Sequence, residues 1–326
     1  MRIGIMSASR IVAEFLKHLK DMPDIQVTAM CVRPQSEQKA REMLAAAGVE
    51  HAKLYTDYEA FLADPAYDFV YNGTANHLHY PQTKQALLAG RNVILEKPFT
   101  VTLAQAEELF AIAEEKGLWL WEAITTPYQP GYQFIRDSLP SIGNVKGVTV
   151  NFSKYSTRYD DYLAGIWNTT FDPACAGGAL MDMNMYCIYF AVLLFGAPQE
   201  AAYFPNVGHN GIDLGGVAVL TYPGFRATLI SCKDSHAPMS VVVQGEKGYI
   251  ESPCAVGVLE KTRAVVGKSA SDGPVPQLHR MAYEFNFFAE AWRNNDRAAC
   301  EKAKADTLKV MRILDRLQNA IPAYQK

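Results

Sequence analysis

The chain has 326 residues, 49% of them hydrophobic and 20% charged, with a formal net charge of −3 at pH 7. That composition excludes intrinsic disorder and leaves length for two domains. Acids and bases are mixed along the whole length, so there is no basic field for a phosphate backbone or an anionic membrane surface, and nucleic acid and membrane are not expected as partners.

The six cysteines, Cys31, Cys175, Cys187, Cys232, Cys254 and Cys300, lie far apart, with no C-x-x-C pair and no interleaved histidines. They read as reduced, buried thiols. Met1 leads straight into a strand-like stretch without a signal-peptide pattern. The longest nearly apolar run, residues 187–198, falls short of the roughly 20 residues a bilayer requires. A soluble, cytoplasmic protein is expected.

Short β-branched runs alternate with amphipathic helical patterns over the first 120 residues, which predicts a doubly wound parallel sheet. Strands are expected over 2–6, 25–32, 69–72, 92–96 and 118–121, and helices over 11–19, 36–47, 79–89 and 103–116. Gly48, Gly90 and Gly117 follow helices as C-terminal caps. After residue 122 the pattern changes: Val148, Val150 and Phe152 alternate with polar residues, predicting a strand with antiparallel neighbours. Two hairpins are expected, 217–221 with 227–232 and 241–244 with 249–251. One helix near 180–195 and a pair over 281–294 and 300–320 should pack on that second sheet. The fold class is thus α/β, a Rossmann-type domain over 1–122 followed by an α+β domain over 123–326 with a largely antiparallel open sheet.

The turn after the first strand reads Gly4-Ile5-Met6-Ser7-Ala8-Ser9-Arg10-Ile11, where a dinucleotide-binding protein carries G-x-G-x-x-G. The glycines are replaced, yet backbone amides of Ser7, Ala8, Ser9, Arg10 and Ile11 at a helix N-terminus still attract a pyrophosphate. The second strand ends Cys31-Val32-Arg33-Pro34 and lacks the acid that receives the ribose of NAD. Arg33 could face a 2′-phosphate, which favours NADP over NAD, or be a solvated surface arginine.

Further on come Asn72-Gly73-Thr74-Ala75-Asn76-His77-Leu78-His79 and, one helix later, Gly90-Arg91-Asn92-Val93-Ile94-Leu95-Glu96-Lys97-Pro98. Pro98 keeps Lys97 out of helical conformation at the carboxyl end of a parallel strand, the edge where open α/β sheets bind ligands. The second half contributes Gly177-Gly178-Ala179-Leu180-Met181-Asp182-Met183-Asn184-Met185-Tyr186, with Asp182 and Tyr186 on one face of a helix.

These segments in this order resemble the Gfo/Idh/MocA oxidoreductases, in the tyrosine-bearing branch that looks like the dihydrodiol and xylose dehydrogenases. Trp121-Glu122-Ala123 and Gly245-Glu246-Lys247-Gly248 are similar to further family segments. Asn184 stands where a glycine is usual, Tyr189 where many members have aspartate, and Pro127 where they have arginine; the first two are expected to reshape the substrate pocket. Loops over 153–170 and 203–215 match least and are where specificity would sit.

The resemblance implies an NAD(P)-dependent dehydrogenase or reductase that transfers a hydride between nicotinamide and a secondary alcohol or ketone of a sugar-like molecule, in a cleft between the domains. It implies cofactor contacts from Thr74, Asn76, His79, Glu96 and Lys97, with Lys97, Tyr186 and Asp182 as the catalytic set. Tyr186 would exchange the proton with Lys97 lowering its pKa, or Lys97 would exchange it directly, and Asp182 would orient substrate hydroxyls. A homodimer or homotetramer through the C-terminal sheet is implied as well. Two alternatives stay open: a glycoside hydrolase working by transient oxidation and elimination with tightly held NAD, and a non-catalytic sugar-sensing regulator. No metal ligand set is visible, and His18, His51, His209, His236 and His279 carry no assignment.

Overall fold

A computed structural model describes residues 1–325. It resolves into two compact units, one of residues 1–124 with 278–308, the other of residues 125–277 with 309–325. The sequence division at 122/123 falls two residues from the first of these boundaries, but it placed 278–308 in the second domain.

In the first unit β1 (Arg2–Met6), α1 (Arg10–Lys17), β2 (Gln26–Cys31), α2 (Glu37–Ala46), β3 (Lys53–Tyr55), α3 (Tyr58–Ala63), β4 (Phe69–Asn72), α4 (Asn76–Leu88), β5 (Asn92–Glu96), α5 (Leu103–Glu115) and β6 (Leu120–Ala123) follow one another. The six strands are parallel, in the order β3-β2-β1-β4-β5-β6, the Rossmann arrangement. β4 and β6 are buried throughout, as a sheet covered on both faces demands. Gly48, Gly90 and Gly117 have φ of 70°, 80° and 65°, the left-handed conformation that ends a helix. β3 and α3 were not expected: three residues, Lys-Leu-Tyr, carry no period, and α3 has six. β6 lies two residues beyond its expected span.

The helices α9 (Arg280–Arg293) and α10 (Arg297–Gln318) were expected on the second sheet, and this is corrected. α9 and the first part of α10, to Leu308, belong to the Rossmann unit. The reason is an aromatic face. Phe285 lies 4.6 Å from Phe15 and 5.1 Å from Tyr71, Phe288 lies 4.8 Å from Trp121, and Trp292 lies 5.2 Å from Phe69 and 5.5 Å from Trp119. Large rings on β4 and β6 need a cover of matching size, and each fully buried ring contributes on the order of 1.5–3 kcal/mol. Arg297 then stacks its guanidinium 4.2 Å from the Trp119 ring and donates to the carbonyls of Gly117 and Leu118.

The second unit holds α6 (Pro130–Ser138), β7 (Val145–Ser153), α7 (Tyr159–Leu163), a π-helical turn (Leu180–Asn184) running into α8 (Met185–Phe195), then β8 (Glu200–Val207), β9 (Asp213–Tyr222), β10 (Phe225–Cys232), β11 (Ser240–Gly245), β12 (Gly248–Ser252), β13 (Arg263–Val266) and β14 (Ser269–Asp272). Its sheet runs β14-β13-β12-β11-β7-β10-β9-β8. Both expected hairpins form, with two-residue turns at Pro223-Gly224 and Glu246-Lys247. The expected antiparallel surroundings of β7 are corrected on one side. β7 pairs antiparallel with β11 but parallel with β10, because α8 makes the crossover that a parallel pair needs. Register brings Val148, Val150, Ala227, Leu229, Ala218, Val241, Val243 and Ile250 onto one buried face.

The helical stretch Pro173–Phe195 is longer than the apolar run read from sequence and is long and apolar enough to cross a membrane, yet 78% of its most apolar window is buried inside the protein. It is a core helix of the second unit.

Candidate active site

In the first unit the turn between β1 and α1 keeps its dinucleotide-binding shape without its glycines. Ser7 adopts φ 83°, the conformation a glycine normally supplies. Its hydroxyl and that of Ser9 both donate to the Gly73 carbonyl, each at 2.7 Å. A Cβ at Gly73 would sit 2.8 Å from Val12 Cγ2, so glycine is required there for the two loops to approach. The serine hydroxyls therefore hold loop to loop, and the backbone amides of Arg10 and Ile11, in the first turn of α1, are left to meet a phosphate. These features fit a bound pyrophosphate.

Arg33 is exposed just past the carboxyl end of β2. Lys39 was missed by the sequence reading; from α2 its ammonium donates to the Ala8 carbonyl at 2.6 Å, so a second cation stands beside the phosphate turn. Its only signal was a lysine in a helix rich in charge.

The Asn72–His79 segment is knitted from within. Asn72, fully buried, donates to Thr83 and accepts from the Thr74 hydroxyl at 2.7 Å. His79, also buried, places Nδ1 2.7 Å from the Pro98 carbonyl and Nε2 3.1 Å from the Thr74 carbonyl. Two carbonyls would suit an imidazolium, but burial prevails and holds the ring neutral, its pKa pushed down to about 4. His79 thus joins the Thr74 loop to the Lys97-Pro98 loop. Asn76 begins α4 beside them.

Glu96, buried at the end of β5, accepts from the Tyr71 hydroxyl at 2.7 Å and from the Lys97 amide at 3.2 Å. Burial raises its pKa, while Lys97 and Arg280 oppose the rise. Lys97 itself is half-buried, on a cis peptide to Pro98.

In the second unit, Gly177 and Gly178 have separate steric reasons. A Cβ at 177 would lie 2.5 Å from the Thr170 carbonyl, and one at 178 would lie 2.0 Å from Asp213 Oδ1. Asp213, absent from the sequence reading, accepts from the Leu180 amide at 2.6 Å and from the Tyr203 hydroxyl at 2.8 Å. It anchors the start of the helical segment that carries Asp182 and Tyr186. Burial raises its pKa to about 6.

That segment opens as a π-helical turn, where an ordinary α-helix was expected. The wider i→i+5 turn keeps residues four apart on one side, and such turns recur at functional sites. Asp182 is 43% exposed at its side chain and pairs at 2.5 Å with Lys233, which is 2% exposed. Lys233 went unnoticed in sequence because one lysine after a strand carries no motif. Tyr186 packs its ring on Gly257, where a Cβ would come within 3.2 Å, and against Phe152. Gly257 is fixed in turn by hydrogen bonds from Thr125 and Gln129 to its carbonyl.

The expectation that Asn184 and Tyr189 shape a pocket is corrected. Asn184 is wholly buried and donates to the Leu229 carbonyl, tying helix to sheet, and Tyr189 is 2% exposed. A cavity of about 380 Å³ lies instead among the loops that matched least, lined by Tyr162, Trp167, Asn168, Asp172, His209 and Asn210 among others. Phe171 joins this lining, and the Lys233 ammonium sits 5.5 Å from its ring centre.

Rossmann topology, a phosphate turn of dinucleotide-binding shape and a lysine at the carboxyl edge of the sheet define a nicotinamide-dependent oxidoreductase. Residues 1–124 match the oxidoreductase family with an NAD-binding Rossmann fold, and residues 140–251 match the Gfo/Idh/MocA C-terminal domain. The chain belongs to the Gfo/Idh/MocA family of oxidoreductases.

It is 34% identical over 250 residues to the NADP-dependent scyllo-inositol 2-dehydrogenase IolU of Bacillus subtilis, covering 77% of this chain and 75% of that protein. To the mouse trans-1,2-dihydrobenzene-1,2-diol dehydrogenase it is 27% identical, covering 98% and 97%. Among solved structures it shares its fold with the 3-ketoreductase KijD10 of Actinomadura kijaniata in complex with NADP and TDP-benzene, with a TM-score of 0.84, 24% identity, and coverage of 98% and 97%.

Proposed function

We propose that this enzyme moves a hydride between NADP(H) and a secondary alcohol or ketone of a sugar-like, polyhydroxylated small molecule. The observation that carries the reading is the cavity of the second unit, where aromatic faces (Tyr162, Trp167) stand beside hydroxyl-binding groups (Asn168, Asp172, Asn210). Such a lining suits a molecule with apolar C–H faces and many hydroxyls. The names of the Bacillus and mouse relatives, an inositol and a diol dehydrogenase, support it.

The dinucleotide, when bound, supplies or accepts the hydride. Ser7 to Ile11, Thr74, Asn76, His79, Glu96 and Lys97 are the residues we assign to holding it, and Arg33 with Lys39 to a 2′-phosphate. Lys97 and Tyr186 are assigned to proton exchange at the reacting oxygen, as a coupled pair. Asp182, its charge held in place by Lys233, orients substrate hydroxyls. Exposed Phe204 and Val207 on β8 and Tyr249 on β12 support assembly of copies through the second sheet.

Titration with both dinucleotides, followed by a panel of sugars and polyols read at the nicotinamide absorbance, tests the function. Turnover of a hydroxylated compound is expected. Binding of such a compound without oxidation or reduction would overturn the reading in favour of a sensor, and cleavage of a glycoside with no net nicotinamide change would replace it with hydrolysis.

A further inference from the structure

Within the first unit, two histidines given no role by the sequence meet. His18, at the C-terminus of α1, and His279, at the N-terminus of α9, stack with ring centres 3.8 Å apart and planes 7° from parallel. Glu14, one turn before His18, places Oε1 3.3 Å from His18 Nε2 and 3.4 Å from His279 Nε2. We propose that Glu14, His18 and His279 form a binding site for one divalent transition-metal ion of the zinc class, which staples the end of α1 to the start of α9.

The distances argue for it. N–H···O hydrogen bonds cluster near 2.9 Å and rarely exceed about 3.2 Å. Two ligands of a tetrahedral zinc ion, each about 2.05 Å from the metal, lie about 3.3 Å apart. The two separations here match the ligand edge. Glu14 and His18 stand at i and i+4, the spacing that points two ligands from one helix face at one ion.

Asp21 Oδ2 lies 3.7 Å from the other nitrogen of His18, Nδ1, beyond hydrogen-bond reach, so it adds negative charge beside the ring without fixing its orientation. Two imidazoles and a single carboxylate select zinc, cobalt or nickel over magnesium or calcium. Lys17 and Arg280 are the cations that face His279, and the Glu14 carboxylate offsets them.

The ligands ride on a fixed frame. Phe15 and Phe285 pack at 4.6 Å, Asn286 donates to the Asp21 carbonyl at 3.0 Å, and Arg293 pairs with Asp24. With their planes 7° from parallel the two in-plane lone pairs do not converge, so binding one ion requires the rings to tilt out of this stack. The site is not catalytic: Ser9 caps the other end of α1, so along the helix axis Glu14 lies about 7.5 Å from the phosphate turn and His18 more than about 12 Å.

The test uses the full-length protein, stripped with a chelator and titrated with Co(II) and then Zn(II). One equivalent of Co(II) with visible d–d absorption, displaced by Zn(II), is expected. Zn(II) at a hundredfold excess over Kd should raise Tm by roughly 5 °C or more. His279→Ala and Glu14→Gln, each checked for an unchanged metal-free Tm, should abolish both signals, while His236→Ala should leave them intact. Absence of stoichiometric binding, or binding that survives both His279→Ala and Glu14→Gln, overturns the proposal.

Discussion

Asp213 and Gly178 compete for one space: the carboxylate oxygen Oδ1 of the first lies 2.0 Å from where the second would carry a Cβ. Gly178 also holds φ 99°, so two separate constraints exclude a side chain. Gly178→Ala is expected to destabilise the protein by about 3 kcal/mol or more, by displacing a buried carboxylate and straining the backbone. Chemical denaturation checks this, and a loss below about 1 kcal/mol would refute the steric account.

The proton-exchange assignment separates from structure at Tyr186. Its ring contacts, on Gly257 and Phe152, survive in Tyr186→Phe. That variant should lose kcat by about two orders of magnitude with a stability change within about 1 kcal/mol. Lys97→Ala should lose turnover similarly while still binding dinucleotide by calorimetry. Full activity in Tyr186→Phe would leave Lys97 as the sole proton carrier.

Dinucleotide choice rests on Arg33, exposed at the end of β2 where no acid receives a ribose. NADP(H) should bind more tightly than NAD(H), and Arg33→Ala should weaken NADP(H) by roughly ten- to a hundredfold with little effect on NAD(H). Equal affinities in the unaltered protein would refute it.

Two buried carboxyls set a pH dependence of stability. Asp213 titrates at about 6 when folded, and Glu284, buried near Glu96 and Glu122, is pushed well above the ordinary carboxyl range by burial first and those acids second. Both folded values exceed the unfolded ones, so their contribution is complete below about pH 4 and declines as pH rises through the folded values. Between pH 4 and 6.5 this loss runs against the gain from His79 and His279, whose folded values near 4 lie below the unfolded 6.5, so each carboxyl shows as the difference between variant and unaltered protein. Asp213→Asn should remove a loss of stability between pH 4 and 6 and Glu284→Gln a loss that begins near pH 4, so the slope of Tm against pH becomes more positive in each variant than in the unaltered protein. Equal slopes in all three proteins would contradict these shifts.

Local pattern made much of the first unit legible. β1, β4 and β5 lie where alternation and breakers put them, and Glu96-Lys97-Pro98 closes β5 as its spacing implied. What escaped depends on distant pairs. The rings of Phe285, Phe288 and Trp292 announce a buried face but not which sheet lies under it. The parallel match of Val148 to Ala227 is a register that no single segment encodes. Asp213 and Lys233 are single charges whose meaning appears only beside Leu180 and Asp182. His18 and His279 looked unrelated because α1 and α9 sit at opposite ends of the chain.

The Rossmann unit draws its last helices from residues 278–308, after the whole stretch 125–277 has been spent on the other unit. On a ribosome, the rings of Phe69, Tyr71, Trp119 and Trp121 emerge long before the helix that covers them. At synthesis rates of about 5–20 residues per second the nascent sheet waits roughly 10 to 40 s for its lid. A fragment stopped near residue 124 would present the same bare aromatic surface permanently, and would be a client for chaperones in place of a minimal nucleotide-binding module.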